Sequence, residues 1–487
     1  MLLSKILENV PYIKVVGDID RDIQDMYYDS RQVTPNSIFF CIKGFNIDRH
    51  DFAVDAVKRG ARALVVERDV EVPDDVTKIF VEDSRLAMSL MAANFFGRPA
   101  DQMKVIGITG TNGKTSIAYL LKSILEEAGY RVGLVGTITN MIGKRTVEAE
   151  RTTPTTPESL DLQRLFRHIV DEGVHVVVME VTSHSLSLKR VGGVEFDIGI
   201  FTNLSQDHLD FHGTFENYRA AKAQLFKNSK VSIINIDDEN GRLIAEETDG
   251  EVLPYGISSR ECQVFARDID ITPRGASFAL HLPDRKLKID LNIPGIFSVY
   301  NSLAAGAVAH VLDVESSAVK SGLESVYGIP GRFEHLKTDT DFSIIIDYAH
   351  TPDGLENVLE TARGITSRRL ITLFGCGGDR DREKRPIMGK VAGKYSDLCV
   401  VTSDNPRTED PMSIIDDIIP GVIESRCPYV VIENRKEAIE YALSNAEPGD
   451  IVILAGKGHE TYQILKDETI HFDEREVVAE FLKKGRA

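Results

Sequence analysis

The chain has 487 residues, 42% hydrophobic and 27% charged, with a formal net charge of −18, which predicts about three domains with packed cores. The acidic balance argues against a nucleic-acid partner held by a broad basic surface, although an anionic small molecule needs only local positive charge. No apolar run reaches membrane-span length, and Met1 to Pro11 lacks an uninterrupted apolar signal region, so a cytoplasmic location is expected.

Residues 1–99 read as a first α/β domain, with β-like runs from Ser37 to Ile42 and Ala63 to Val66 and helical stretches between them. Phe95-Phe-Gly-Arg-Pro99 interrupts the pattern and marks a boundary. A central domain over 100–332 alternates strands at 104–109, 131–137, 174–181, 196–202 and 230–236 with helices at 115–129, 157–172 and 215–228. Pro157 suits a first helical turn, with Thr156 as its N-cap. The alternating runs of 262–293 predict antiparallel strands. A second boundary is expected at Ile329-Pro-Gly-Arg332, and 333–487 alternate again. Strands are predicted there at 342–347, 369–374, 397–402, 428–432 and 450–454, with helices at 352–364, 383–395, 411–424 and 434–446, a doubly wound pattern. The cysteines at 41, 262, 376, 399 and 427 form no CxxC pair, which speaks against a zinc site or disulfide framework. Cys376 lies in a glycine loop, where a small buried thiol is the simpler reading and a ligand contact the other.

The sharpest feature is Gly107-Ile-Thr-Gly-Thr-Asn-Gly-Lys-Thr-Ser116, between a strand and a helix. Gly110 and Gly113 permit backbone angles that let N–H groups converge on an anion, and the helix N-terminus adds partial positive charge. Lys114 suits a terminal phosphate and the Thr115 hydroxyl a Mg²⁺ ion. The common G-x4-G-K-[ST] pattern needs glycine at 108, which is Ile108; the glycines fall at 107, 110 and 113.

Other polar clusters follow predicted strands. Glu180 ends one, at the sheet edge where α/β folds bind ligands; a metal-binding carboxylate and a solvated acid are both compatible with it alone. Thr202 to His212 gathers Asn203, Asp207, His208, Asp210 and His212, residue types suited to metal or phosphate. Lys222, in Tyr218-Arg-Ala-Ala-Lys222, reads from its neighbours as a helix-surface cation. Gly375 to Arg385, Ser403-Asp-Asn-Pro-Arg407 and Gly456-Lys-Gly-His-Glu460 each follow a predicted strand at one sheet edge, where they could converge on one small zwitterion. Arg407 suits bidentate capture of a carboxylate.

Gly110-Thr-Asn-Gly-Lys-Thr115 resembles the loop of the Mur ligases and their folylpolyglutamate synthetase relatives, and the later motifs extend the likeness over most of the chain. The resemblance implies a three-domain α/β architecture, with a central P-loop ATPase-like parallel sheet and a C-terminal Rossmann-like domain. It implies an ATP- and Mg²⁺-dependent ligase of peptidoglycan precursor synthesis. Gly110, Thr111, Asn112, Gly113, Lys114, Thr115, Asn301, Arg332, Asp347 and His350 then match nucleotide positions. Thr115, Glu180, His208 and Lys222, the last as a carbamate, match metal positions. Lys114, Lys222, His208, Glu180 and Arg332 are the implied catalytic set, with Arg332 delivering charge to phosphate from the domain boundary.

Ser30 within Asp29-Ser-Arg31, with Thr152, Thr153, Thr182, Ser183 and Arg190, matches the site of a UDP-muropeptide, UDP-N-acetylmuramoyl-L-Ala-D-Glu. Leu188 stands where some members carry glutamine, so the resemblance does not extend to one substrate hydrogen bond, while the implied activity stands. Asp404-Asn-Pro-Arg407 matches the signature of the diaminopimelate-adding branch, with Arg380, Asp404, Asn405, Pro406, Arg407, Gly456 and Glu460 as the implied meso-diaminopimelate pocket. Arg407 would hold the distal carboxylate and Glu460 the adjacent ammonium; lysine lacks that carboxylate, so discrimination could reach about 10⁴-fold. A monomer without nucleic-acid or membrane partners is expected. The competing readings are a lysine-adding ligase, a folylpolyglutamate synthetase, and a non-catalytic nucleotide-dependent muropeptide-binding protein.

Overall fold

The computed structural model describes residues 1–44, 47–147, 153 and 155–484, arranged on three main sheets. The first has five strands in the order Lys14–Val16, Thr77–Phe80, Ala61–Val66, Ser37–Phe40 and Asp25–Tyr27. Helix Ser84–Phe95, capped by Asp83 through the N–H groups of Arg85 and Leu86, packs over it and against helix Ser159–Asp171 of the next domain.

Eleven strands form the second sheet. At its centre Lys104–Thr109 lies between Phe196–Phe201 and Val176–Glu180, all parallel. These three strands are buried on both faces, which explains their near-continuous apolar runs. Each fully buried Ile or Val there contributes roughly 1.5–3 kcal/mol. Because the strands are parallel neighbours, the loops at their C-terminal ends meet at one edge, and those loops carry Gly110–Thr115, Thr182 and Thr202–His212. The antiparallel strands expected within 262–293 are present as Val264–Thr272, Gly275–His281 and Lys286–Leu291.

In the third sheet Ser343–Asp347, Ile451–Ala455, Leu370–Phe374, Leu398–Val401 and Tyr429–Val431 run parallel, with Glu334–His335 antiparallel at one edge. Ile451–Ala455, Leu370–Phe374 and Leu398–Val401 are direct neighbours, so the three loops expected to converge start side by side.

Two local readings differ from expectation. The helix expected from Pro157 begins at Ser159, with Glu158 at the cap position and no side-chain cap. Thr156 instead donates its hydroxyl to the Glu180 carbonyl at 3.0 Å, satisfying a buried acceptor at a strand end. Short strands at Lys14–Val16, Met141–Ile142 and Arg145–Thr146 were not anticipated, being too brief to show a period. Among the described residues, no helix is long and apolar enough to cross a membrane.

Candidate active site

Gly110 and Gly113 have φ of +145° and +89°, values that L side chains avoid. A Cβ on Gly113 would lie 2.7 Å from Asn301 Oδ1, and one on Gly110 would fall on the Thr202 hydroxyl. The loop is fixed from the neighbouring strand end: Thr111 N donates to Asn203 O at 2.9 Å, Asn112 N to Asn203 Oδ1 at 2.9 Å, and Thr202 Oγ1 to Asn112 O at 2.6 Å. Helix Lys114–Glu127 starts at Lys114, so its free N–H groups face the loop.

The Thr115 hydroxyl lies 3.0 Å from both oxygens of Glu180, which is buried. Thr137 adds its N–H and hydroxyl to the same carboxylate, each at 2.9 Å. Arg332, from the domain boundary, donates to Thr115 Oγ1 at 3.1 Å and lies 4.9 Å above the Tyr348 ring. Its Nε is buried without a hydrogen-bond partner, the state of a donor held ready for an anion. Lys114 Nζ reaches the carbonyls of Gly110 and Thr111 at 2.9 and 2.8 Å.

The surface-cation reading of Lys222 is overturned. Its helix, Phe215–Lys227, turns this face inward, and the side chain is 1% exposed with Nζ 2.8 Å from Gly110 O and 4.6 Å from the Tyr218 ring. Burial, then the Lys114 charge, pushes its pKa well below the ordinary lysine value.

His208 contacts Asp207 at 3.2 Å, and its ring lies 4.7 Å from that of His184. Burial lowers the His208 imidazole to about 3, leaving it neutral and able to ligate near pH 7. Among the described residues, no three His, Cys, Asp or Glu side chains form a self-sufficient metal cluster. The donors fit a hard divalent cation that takes the rest of its shell from phosphate and water: the Thr115 hydroxyl and the Glu180 carboxylate are paired beneath the loop, and a neutral imidazole stands at the next strand end. Lys222 as a free amine does not fit such an ion.

Between the central and third domains lies a cavity of about 240 Å³, lined by Asn301, Phe297, Tyr300, Arg332, Asp347 and Asn357 among others. Asp347 accepts the N–H groups of Phe333 and Ala349 at 2.6 and 2.7 Å, and burial raises its carboxyl to about 6 against the pull of Arg332. His350 Nδ1 donates to Tyr348 O at 2.8 Å, and the ring lies 4.0 Å from Asp207, outside the cavity lining. Asn112 Nδ2 donates to Asp353 across the domains at 2.8 Å.

Of the muropeptide set, Thr152 lies outside the described residues. Thr153 donates to Thr156 O at 2.6 Å, Thr182 caps a short helix through Ser185 N, and Ser183 Oγ meets His212 Nε2 at 2.9 Å. Arg190 pairs with Glu158 at 2.9 Å, and Leu188 stays half-buried at that helix end. Ser30 is the buried residue of the otherwise exposed turn Ser30–Gln32 of the first domain.

The three loops of the third sheet do meet. Asn405 Nδ2 donates to Glu460 Oε2 at 2.9 Å, and Arg407 Nη1 to Gly378 O at 2.8 Å. Arg407 has φ of +53°, a strained backbone for this residue type, held by its N–H on Ile464 O at 3.1 Å. Asp404 is buried behind the Asn405–Pro406 turn, Gly456 N donates to Asp347 O at 3.0 Å, and Arg380 is exposed at the rim. Cys376 points away, toward Met388 at 3.6 Å, and burial raises its thiol to about 12: it is the small buried thiol. The sequence reading missed Thr137, which carries no motif, and Lys457, whose place between two glycines could have flagged it. Lys457 is fully buried and donates to Asn405 Oδ1 and Glu460 Oε2, both at 3.1 Å.

Three family descriptions match the chain in succession: "Mur ligase family, catalytic domain" over residues 22–96, "Mur ligase middle domain" over 108–309, and "Mur ligase, glutamate ligase domain" over 331–458. The chain is also 51% identical, over the whole of both chains, to the UDP-N-acetylmuramoyl-L-alanyl-D-glutamate–2,6-diaminopimelate ligase of Caldanaerobacter subterraneus.

The chain belongs to the Mur ligase family.

A Clostridium acetobutylicum protein of the same name, numbered 1, is 49% identical over 99% of this Mur ligase and 100% of its own length. A solved structure of a ligase of that name superposes with a TM-score of 0.70, at 32% identity, covering 100% of this Mur ligase and 99% of the other chain. The MurF ligase of Thermotoga maritima in complex with ADP shares the fold at 18% identity, with a TM-score of 0.64 over 95% of this chain and 99% of that one. Mur ligases are ATP-using ligases.

Proposed function

We propose that this enzyme joins the amine of meso-diaminopimelate to the D-glutamyl side-chain carboxylate of UDP-N-acetylmuramoyl-L-Ala-D-Glu, with conversion of ATP to ADP and phosphate, as a monomer in cytoplasmic peptidoglycan precursor synthesis. The observation that carries the reading is the meeting of three loops on the sheet edge that also bears Asp347, with Asn405 donating to Glu460 at 2.9 Å and Arg407 to Gly378 O at 2.8 Å. Arg407 takes the distal carboxylate of the acceptor and Glu460 its ammonium, with Arg380, Asp404, Pro406 and Gly456 shaping the walls.

A carboxylate is a poor acyl donor, so activation precedes amide formation. Gly110–Thr115 cradle the ATP phosphates, and Asn301, Asp347 and His350 complete the nucleotide site. The glutamyl carboxylate oxygen attacks the γ-phosphorus and ADP leaves, giving an acyl phosphate. Lys114 and Arg332 offset the charge developing on the transferred oxygens. The deprotonated amine of diaminopimelate then attacks the carbonyl carbon and expels inorganic phosphate. Thr115, Glu180, His208 and a carbamylated Lys222 would hold Mg²⁺, which when bound supplies charge neutralisation of the phosphates. Carbamate formation balances in two steps: the Lys222 ammonium loses one proton to give the neutral amine, and the amine nitrogen adds to the carbon of CO₂ and loses a second, so that a cation becomes an anion. Ser30, Thr152, Thr153, Thr182, Ser183 and Arg190 hold the muropeptide, and closure of the three domains, 1–99, 100–332 and 333–487, keeps water from the acyl phosphate.

The test is phosphate release with Mg²⁺-ATP as each substrate is omitted. Release that needs both muropeptide and diaminopimelate supports the reading; release indifferent to the muropeptide contradicts it.

A further inference from the structure

Lys457 is 0% exposed and stands behind Glu460 and Asn405, outside every role assigned above. Its Nζ donates to Glu460 Oε2 and Asn405 Oδ1, both at 3.1 Å, and Asn405 donates in turn to Glu460 Oε2 at 2.9 Å. Oε2 of Glu460 is therefore committed to the protein, whereas Oε1 has the longer 3.4 Å contact from Tyr348 OH and is the atom left for a ligand. The wall charges matter as much as the bonds. Asp404 and Glu460 are the pocket's carboxylates, Arg407 and Lys457 its inner cations, and the four cancel. The buried Arg435–Glu474 pair, in contact at 2.8 Å, also faces Asp404 and Lys457 but adds no net charge, and Arg380 adds positive charge at the exposed rim. The pull of Lys457 on Asp404 and of both carboxylates on Arg407 places these charges within one another's field.

We infer that Lys457 is a specificity-determining residue that acts through Glu460: by neutralising the pocket wall it admits an acceptor with a zwitterionic distal end and disfavours one whose distal end is only a cation. This rests on the proposed amino-acid pocket. A zwitterionic end leaves a neutral wall balanced, since its carboxylate meets Arg407 and its ammonium meets Glu460. A cationic end leaves one buried positive charge uncompensated. Without Lys457 the wall carries a net negative charge, which a lone ammonium would satisfy.

The experiment is kcat/KM for meso-diaminopimelate and for L-lysine, measured with the full-length enzyme, Lys457→Met, Lys457→Gln and Glu460→Gln. The diaminopimelate-to-lysine ratio is expected to fall by about 10- to 100-fold in Lys457→Met and in Lys457→Gln, with KM for ATP within about twofold of wild type. Lys457→Gln keeps an N–H donor for Glu460, so it recovers turnover with diaminopimelate but not the ratio. Glu460→Gln shifts the wall the other way and raises the ratio; it carries the test if neither Lys457 variant folds. An unchanged ratio, with both acceptors and ATP affected alike, makes Lys457 a purely structural residue and overturns the inference. A wild-type enzyme that turns over neither acceptor would instead overturn the proposed function.

Discussion

The side-chain nitrogens of Lys114 and Lys222 converge on a single carbonyl oxygen, that of Gly110, at 2.9 and 2.8 Å. Two ammonium groups so placed repel each other, and the one farther from solvent yields its proton more readily. That is Lys222, and the resulting neutral amine is the species that reacts with CO₂. Replacing the side chain by Lys222→Met is predicted to lower turnover by about 10³-fold or more, of order 4 kcal/mol in the barrier. Lys222→Ala should regain part of that loss when a short carboxylic acid is added. Wild-type turnover should fall in CO₂-depleted buffer and return with bicarbonate. Full activity of Lys222→Met would remove the carbamate from the account.

Gly110→Ala places a methyl group on the Thr202 hydroxyl at a backbone angle only glycine adopts readily. The strain is of order 1–3 kcal/mol, and relief requires the loop to move. The expected result is at least tenfold weaker ATP binding by titration calorimetry, with the far-ultraviolet circular dichroism spectrum unchanged. Unaltered ATP affinity would show that the loop does not cradle the phosphates.

Arg407→Met should reduce kcat/KM for diaminopimelate by about 10²- to 10⁴-fold while changing that for L-lysine only a few-fold, because lysine offers no second carboxylate. Arg407→Lys, a point charge without the planar fork, should recover only part of it. Equal losses with both acceptors would mean that Arg407 supports the turn rather than the ligand.

Asp347 sets a pH dependence. Burial raises its carboxyl to about 6 from an ordinary value of 3.8, so the folded state holds this proton more tightly than the unfolded chain. The group's contribution to stability is full below about pH 3.8 and is lost as pH rises through about 6. In the proposed nucleotide site ATP binding runs the other way, because a ribose hydroxyl would need the carboxylate as acceptor. KM for ATP is predicted to rise about tenfold between pH 7 and pH 5, in proportion to the fraction ionised. Asp347→Asn should show a high KM without that step. A wild-type KM flat across this range would contradict the assignment.

The sequence revealed much of this site because its residues follow strands. Glu180, Asp347 and the loops of Asp404 and Gly456 sit at C-terminal strand ends, and apolar strands can be read from buried runs alone. The burial of Lys222 could not be read that way. Helix Phe215–Lys227 is too polar for an inward lysine to stand out, and only packing against the phosphate loop shows which face is buried. Thr137 is hidden for a related reason: it is defined by the carboxylate of Glu180 at the end of another strand, and such a contact leaves no local period or spacing. Lys457 lies only three residues before Glu460, but a lysine between two glycines in a loop reads as exposed, and its burial against Glu460 and Asn405 shows only once the three loops meet. The Thr156 cap failed because a buried carbonyl 24 residues away competed for its hydroxyl.

The most direct measurement is the mass of the product formed from UDP-N-acetylmuramoyl-L-Ala-D-Glu, Mg²⁺-ATP and equimolar meso-diaminopimelate and L-lysine. The account predicts the diaminopimelate tripeptide almost alone, with one phosphate released per amide formed. A lysine tripeptide in comparable or greater amount, or phosphate released without either product, would contradict it.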